Sequence, residues 1–148
     1  MKIKLDSGAY MPQRAHEDDA GLDLYAREDK VVPAHGSAAF DTGVHIALES
    51  VHLHAWNGVQ TFKTAGIIKS KSGLYFKHNI TSTGTVDQGY VGAINVKLLN
   101  HGDTDYQVLV GDKIAQLVIF PVLTPDLEVA DELEETERGN GGFGSTGR

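Results

Sequence analysis

Lys69-Ser70-Lys71-Ser72-Gly73-Leu74 sets two ammonium groups, two hydroxyls and a glycine side by side where a helix could begin. A helix start offers free amides and a partial positive charge, the surroundings a phosphate needs. Taken alone, the segment reads equally as a capped helix flanked by solvated lysines, and that plainer reading is the commoner one. Gly84-Thr85-Val86-Asp87-Gln88-Gly89-Tyr90-Val91-Gly92 reads as a hairpin. Asp87 there is either a turn-former bonding nearby amides or a carboxylate base at the rim of a pocket walled by Tyr90. The last stretch, RGNGGFGSTGR from Arg138 to Arg148, holds five glycines and one aromatic ring. It is either a loose terminus or a flap, mobile until ligand arrives, that stacks Phe143 on a base while Arg138 reaches phosphate.

The elements that must position these groups read as β-structure. Val44, Ile46 and Leu48 alternate with other residues, as do Val51, Leu53 and Ala55. Ile94, Val96 and Leu98 face one way while Asn95 and Lys97 face the other, and Tyr106, Val108 and Val110 repeat the period of a half-buried strand. Ile114 to Phe120 is apolar on both faces, so it belongs inside a sandwich or at a subunit interface. One short helix is expected from Ser72 to about Lys77, with Ser72 as its cap. Trp56-Asn57-Gly58 suggests an extra hairpin, because Asn-Gly is a strong turn signal; its Trp56 would serve either a partner or extra packing. Asp131 to Glu137 is acidic and lacks an apolar stripe, so it reads as solvated.

Composition bounds the answer without deciding it. The 148 residues suit one domain, 41% hydrophobic and 22% charged, with no cysteine and hence no disulfide or thiolate chemistry. That fits a reducing cytoplasm. No apolar run reaches the roughly 18 residues of a membrane span, and the first ten residues show no signal-peptide pattern. A net charge of −7 argues against direct binding of nucleic acid. His52 and His54 share one strand face but have no third partner, so surface or interface histidines are expected rather than a zinc site.

Taken in order, these segments resemble the trimeric dUTPase family, whose members carry five short motifs. Ala20–Leu24, Ser70–Leu74, Gly84–Gly92, Gly111–Leu117 and Arg138–Gly147 are similar to motifs one to five, and the closing RGNGGFGSTG is the most specific. The resemblance runs from about Asp6 to the C-terminus. It implies a jelly-roll-like β-sandwich or barrel of the β-clip kind, with residues 1–137 as the β domain and 138–148 as a C-terminal arm. It implies a homotrimer with active sites shared between subunits, and Mg²⁺-dependent hydrolysis of dUTP to dUMP and diphosphate. That reaction keeps uracil out of DNA and supplies dUMP for thymidylate synthesis.

The resemblance also implies roles. Asp87 would activate the water that attacks the α-phosphorus, and Tyr90 would pack on the deoxyribose and leave no space for a 2′-hydroxyl. Backbone groups about Gly84 and Val86 would read uracil. Lys71, Ser72, Gly73 and Gln116 would hold phosphate, and Asp23 would stand near the metal, through water. From another subunit, Phe143 would cover uracil, with Gly144 and Ser145 beside it, and Arg138 would reach the γ-phosphate. Mg²⁺ keeps several of its waters and draws other ligands from substrate phosphates, so no dedicated ligand cluster is required. Three departures stand out. Ser70-Lys71 replaces the usual Pro-Arg of motif two, so the bidentate fork is lost. Val91 stands where many members have arginine. The span from Gly43 to Ser72 is longer than usual through an insertion at 49–66, and its Trp56 loop offers a place for a protein partner. The nearest rival is the dCTP deaminase group on the same fold, disfavoured by the Asp-x-x-Tyr hairpin and a complete motif five; a non-catalytic binding protein is the rival from another class.

Overall fold

The structure is a computed structural model that describes residues 1–56 and 58–142. Its elements in chain order are β1 (Lys2–Leu5), β2 (Gly21–Tyr25), β3 (Lys30–Val32), β4 (Ser37–Ala47), β5 (Val51–Ala55), β6 (Gly58–Lys69), α1 (Ser72–His78), β7 (Ile80–Asp87), β8 (Ala93–Asn100), β9 (Tyr106–Val108) and β10 (Lys113–Val122). The expected all-β architecture with one short helix is present. The main sheet runs β1-β4-β8-β7-β6-β10-β2, with β5 added to β6, and β3 pairs with β9 separately. Every pairing is antiparallel.

Three long strands change or add a partner partway along, and this bends the sheet around one core. In β4, Ser37–Asp41 pairs with β8; past the bend Val44–Ala47 gains β1 on one edge, while His45 still faces Ala93 of β8 on the other. The break falls at Gly43, whose φ of 65° is a conformation that only glycine adopts without strain. Thr42 secures the bend: its hydroxyl donates to the Ile94 carbonyl at 2.7 Å and accepts from the Val44 amide at 3.2 Å. In β6, Gly58–Phe62 pairs with β5 before the remainder pairs with β10. In β7, Ile80–Ser82 pairs with β8, and Thr83–Asp87 pairs with β6. The core so enclosed contains Leu24, Phe40, Ile46, Ile94, Leu98 and Leu117, all fully buried.

Several local expectations change. The Tyr106–Val110 alternation stops at Val108; Val110 lies in a turn, half-exposed, with its amide on the Asp29 carboxylate at 2.7 Å. Ser72 is the first residue of α1 and caps nothing: Lys71 occupies the N-cap position, without any side-chain cap bond. The helix closes on Asn79, which takes a left-handed conformation and whose amide bonds back to the Tyr75 carbonyl at 3.1 Å. The extra hairpin forms, with Ala55 opposite Gly58, but Asn57 lies outside the described residues. Trp56 at its tip is 99% exposed, so the packing role falls away within one chain. Leu53, expected on a half-buried face, is exposed as well.

The doubly apolar β10 is covered on both faces only over its first half. Ile114, Ala115 and Leu117 are buried, Val118 and Ile119 are intermediate, and Phe120 is 44% exposed. Beyond β10 no regular element follows among the described residues, and Leu123, Leu127, Val129 and Leu133 are exposed. No helix of the described residues is long and apolar enough to cross a membrane.

Candidate active site

Two clusters of chemistry-bearing groups form at different places on the sheet. The first gathers about Asp23. Because Gln116 of β10 lies opposite Asp23 of β2 and opposite Lys69 of β6, the chain that leaves β6 delivers Lys71 to the same spot. The Lys71 ammonium stands 2.5 Å from one Asp23 oxygen, and Gln116 Nε2 donates to that oxygen at 3.3 Å. The Lys113 ammonium stands 2.8 Å from the other oxygen, an ion-pair contact outside good hydrogen-bond alignment. Burial of Asp23, 1% exposed, would push its carboxyl pKa up. Lys113, Lys71 and Gln116 together outweigh that penalty and hold it below the ordinary value, while Asp23 raises the pKa of Lys113 in turn. Breaking such a buried pair would strand a charge.

Ser72 and Gly73 lie beside this cluster, exposed, at the start of α1. The first helical bond runs from the Tyr75 amide to the Lys71 carbonyl, so the amides of Ser72, Gly73 and Leu74 have no partner inside the helix. Ser70 has a different task. Its hydroxyl accepts from the Ser82 amide at 2.8 Å and donates to the Ser82 carbonyl at 3.1 Å, which pins the loop to β7.

The second cluster is the hairpin. Its arms pair only at their base, Ile80–Ser82 against Leu98–Asn100. Above that the arms diverge, β7 joining β6 while β8 keeps to β4. The facing edges are left with backbone donors and acceptors that the sheet does not use. The cleft between them is a cavity of about 230 Å³ lined by Ile68, Gly84, Val86, Asp87, Tyr90 and Asn95, among others. Asp87 sits at the rim, exposed, and its carbonyl accepts from the Tyr90 amide at 3.0 Å to close the turn. The Tyr90 hydroxyl donates to the Ala93 carbonyl at 2.9 Å, which folds the ring over the loop. A Cβ on Gly92 would overlap that hydroxyl, so a larger residue there would push the Tyr90 ring out of this position. The larger hollow on the other flank of the tip, about 460 Å³, shares Asp87 but none of the other expected residues.

Gln88 fixes the hairpin tip from outside. Its Oε1 accepts from the Thr64 amide at 2.9 Å, and its Nε2 donates to the Ser50 hydroxyl at 3.2 Å. The base of the β5–β6 arm therefore braces the turn that carries Asp87. Neither Gln88 nor Lys113 stands out in the sequence as a site residue. For Lys113 a shift of register between Lys113 and Ala115 re-aims the side chain, and such bulges leave no signal in hydrophobic alternation.

The two clusters do not meet within one chain. Asp23 and Asp87 are three strand spacings and four residues of β6 apart, which is roughly 20 Å along the sheet at ~4.8 Å per spacing and ~3.3 Å per residue. Arg138 joins neither cluster among the described contacts; its Nε donates to the Gly141 carbonyl at 2.9 Å in an exposed turn. Phe143, Gly144 and Ser145 lie outside the described residues. His52 bonds to the Thr61 hydroxyl at 2.8 Å, and it and His54 are exposed. No group of three or more His, Asp or Glu able to hold a metal occurs among the described residues.

Comparison with known proteins gives one answer. The dUTPase family model matches residues 8–147. The deoxyuridine 5'-triphosphate nucleotidohydrolase of Clostridium acetobutylicum is 44% identical, over 99% of this chain and 96% of its own. Among solved structures, the dUTPase of Staphylococcus bacteriophage 80alpha with dUpNHpp superposes with a TM-score of 0.84 at 28% identity, covering 99% of this chain and 98% of that one. A mutant dUTPase from phage phi11 of S. aureus, described for its coordination of a structural Mg(II) ion, gives 0.75 at 26% identity, covering 90% and 98%.

Proposed function

The chain belongs to the dUTPase family, and from that premise we propose that it hydrolyses dUTP to dUMP and diphosphate at a site built from both clusters. The observation that carries the assignment of residues is the cleft between the diverging hairpin arms, with Asp87 at its rim and Tyr90 across its mouth. A pyrimidine presents donors and acceptors along one edge, and unpaired strand edges meet such a pattern without any charged side chain. The narrow cleft about Gly84 and Val86 leaves no space for the methyl group of thymine. Tyr90 faces the sugar and crowds out a 2′-hydroxyl.

Chemistry follows from that pose. The Asp87 carboxylate orients a water and accepts its proton as the water oxygen bonds to the α-phosphorus. The bond from that phosphorus to the bridging oxygen breaks, and diphosphate leaves. Such transfers depend on positioning and on neutralising charge. The free amides of Ser72 and Gly73, the Ser72 hydroxyl, Lys71 and Gln116 hold the phosphate oxygens.

These phosphate ligands come from a second copy of the chain. The α-phosphate is bonded directly to the sugar, so groups that hold it must lie within hydrogen-bond reach, whereas the cluster on the same chain is roughly 20 Å away along the sheet. Threefold closure also gives cover to the exposed end of β10 and to the apolar residues of 123–133, which one chain leaves in water. The arm beyond residue 137 completes the site from a further copy, with Arg138 on the γ-phosphate and Phe143, Gly144 and Ser145 over the base.

Mg²⁺ fits this site in hydrated form. Both Asp23 oxygens already face ammonium groups, so Asp23 would hold the ion through water. When bound together with the phosphates, Mg²⁺ would supply neutralising charge to them. A cytoplasmic setting accords with the absence of cysteine. The fully exposed Trp56 favours a second, non-catalytic role in which the arm tip docks a protein partner.

The test is diphosphate release with Mg²⁺ from dUTP, dCTP, dTTP and UTP in parallel. Release from dUTP alone is expected, with Tyr90→Ala admitting UTP. Equal release from dTTP would overturn the base-reading cleft, and release of ammonia from dCTP would move the chain to the deaminase side.

A further inference from the structure

His45 lies on β4 just beyond the Gly43 bend, opposite Lys4 of β1 and Ala93 of β8. Its two ring nitrogens make two contacts. Nδ1 is 2.9 Å from the Val91 carbonyl oxygen, and Nε2 is 3.1 Å from an Asp6 carboxylate oxygen. Both partners can only accept. A neutral imidazole carries a single N–H, so it satisfies one of them and turns a lone pair towards the other. Only the imidazolium donates to both.

Val91 follows Tyr90 directly and precedes Gly92, on which the Tyr90 ring closes. The contact therefore ties the back of the Asp87–Tyr90 turn to the segment after β1, with β4 as the fixed support. We propose that His45 is a positioning residue for hydrolysis, whose protonated ring holds the Tyr90–Gly92 segment in place and whose deprotonation loosens the wall against the sugar. This rests on the dUTPase reading of the hairpin.

The surroundings favour the charged ring. The Val91 carbonyl and then Asp6 raise the His45 pKa, against partial burial and against Lys4 across the strand pair. Lys2 shares the same surface hollow. Asp6 in turn is held low, first by His45 and also by Lys4 and Arg27, so it stays an anion at neutral pH. No charged side chain enters from β8, where Ala93 lies opposite. The sign follows: a group whose pKa is raised by folding contributes fully below its unfolded value, about 6.5, and the contribution is lost as pH rises through the folded value.

Two measurements test this together. In the intact protein, an NMR titration of the histidine ring protons, with His45 assigned by its absence in His45→Gln, should show His45 titrating above about 6.5. The Tyr90 and Val91 amides should shift with the same midpoint, and Asp6→Asn should lower it. In parallel, KM for dUTP should rise by about tenfold as pH passes that midpoint, the scale of one charge-assisted hydrogen bond, with kcat little changed. His45→Gln, which offers a single amide donor group, should show the raised KM at every pH and no break. A His45 midpoint at or below the ordinary value, or a KM profile in His45→Gln that matches the parent, would overturn the proposal. If dUTP is not hydrolysed at all, the dUTPase reading fails and the kinetic half with it; the amide shifts then decide separately whether His45 holds the loop.

Discussion

Replacing Asp87 with asparagine is expected to slow dUTP hydrolysis by about 10²- to 10⁴-fold, the range of a lost general base, without unfolding the chain. Asparagine keeps the shape and removes the proton acceptor. The Asp87 side chain makes no ion pair among the described residues, and its contribution to the turn is through its backbone carbonyl. Thermal stability should therefore stay within about 0.5 kcal/mol of the parent, as for surface changes away from structural features. KM for dUTP should change little, because cleft and phosphate ligands persist. The check is kcat and KM alongside a melting curve. A loss of activity that tracks a loss of fold would assign Asp87 to the turn alone, and unchanged turnover would remove it from the chemistry.

Removing residues 138–148 should reduce turnover by about 10²-fold or more while the β domain folds as before. The described part of this arm makes no pairing with any strand, and Arg138 is occupied only by the Gly141 carbonyl. None of its described residues, 138–142, belongs to the core cluster. Its proposed work is to close over bound nucleotide, excluding water and adding the Arg138 charge to the γ-phosphate, and a closing segment of that kind acts on the transition state more than on the fold. Steady-state rates of the truncated chain, with Phe143→Ala and Arg138→Ala in the full chain, separate stacking from charge. Full activity after truncation would exclude the arm from the site.

The strands that enclose the core were legible because alternation at period two states which face is buried. Ile94-Val96-Leu98 and Val44-Ile46 occupy the interior as their pattern requires. Alternation is silent about partners. The divergence of the hairpin arms comes from β7 leaving β8 for β6 while β8 stays with β4, a property of topology that no single segment carries. The same silence hides Gln88, whose partners Ser50 and Thr64 lie at the base of an arm that looked like a simple insertion.

Other differences are local competitions. A serine before an apolar run is a fair cap signal, yet Lys71 takes the capping place because Ser70, one residue earlier, is committed to Ser82. That bridge fixes the backbone entering α1 and leaves the Ser72 amide free. Leu53 fits a half-buried strand by type, but the β5–β6 arm extends past the core and finds nothing to pack against. The Asp23 cluster was half legible. Motif resemblance points to Asp23, Lys71 and Gln116, whereas Lys113 reaches the carboxylate through an irregular register that only the folded chain reveals.

The proposal that Asp87 and the Lys71–Gln116 cluster come from different copies is tested most directly by mixing two inactive chains. One carries Asp87→Asn and the other Gln116→Ala with Lys71→Ala; they are unfolded and refolded together, and hydrolysis of dUTP is measured. Each variant alone is expected to be nearly inactive. In mixed assemblies some sites draw an intact Asp87 from one chain and an intact phosphate cluster from the other, so a substantial fraction of parental activity should return. If the mixture stays as inactive as its components while mass measurement shows that mixed assemblies have formed, the two clusters do not serve one substrate, and the shared-site account is contradicted.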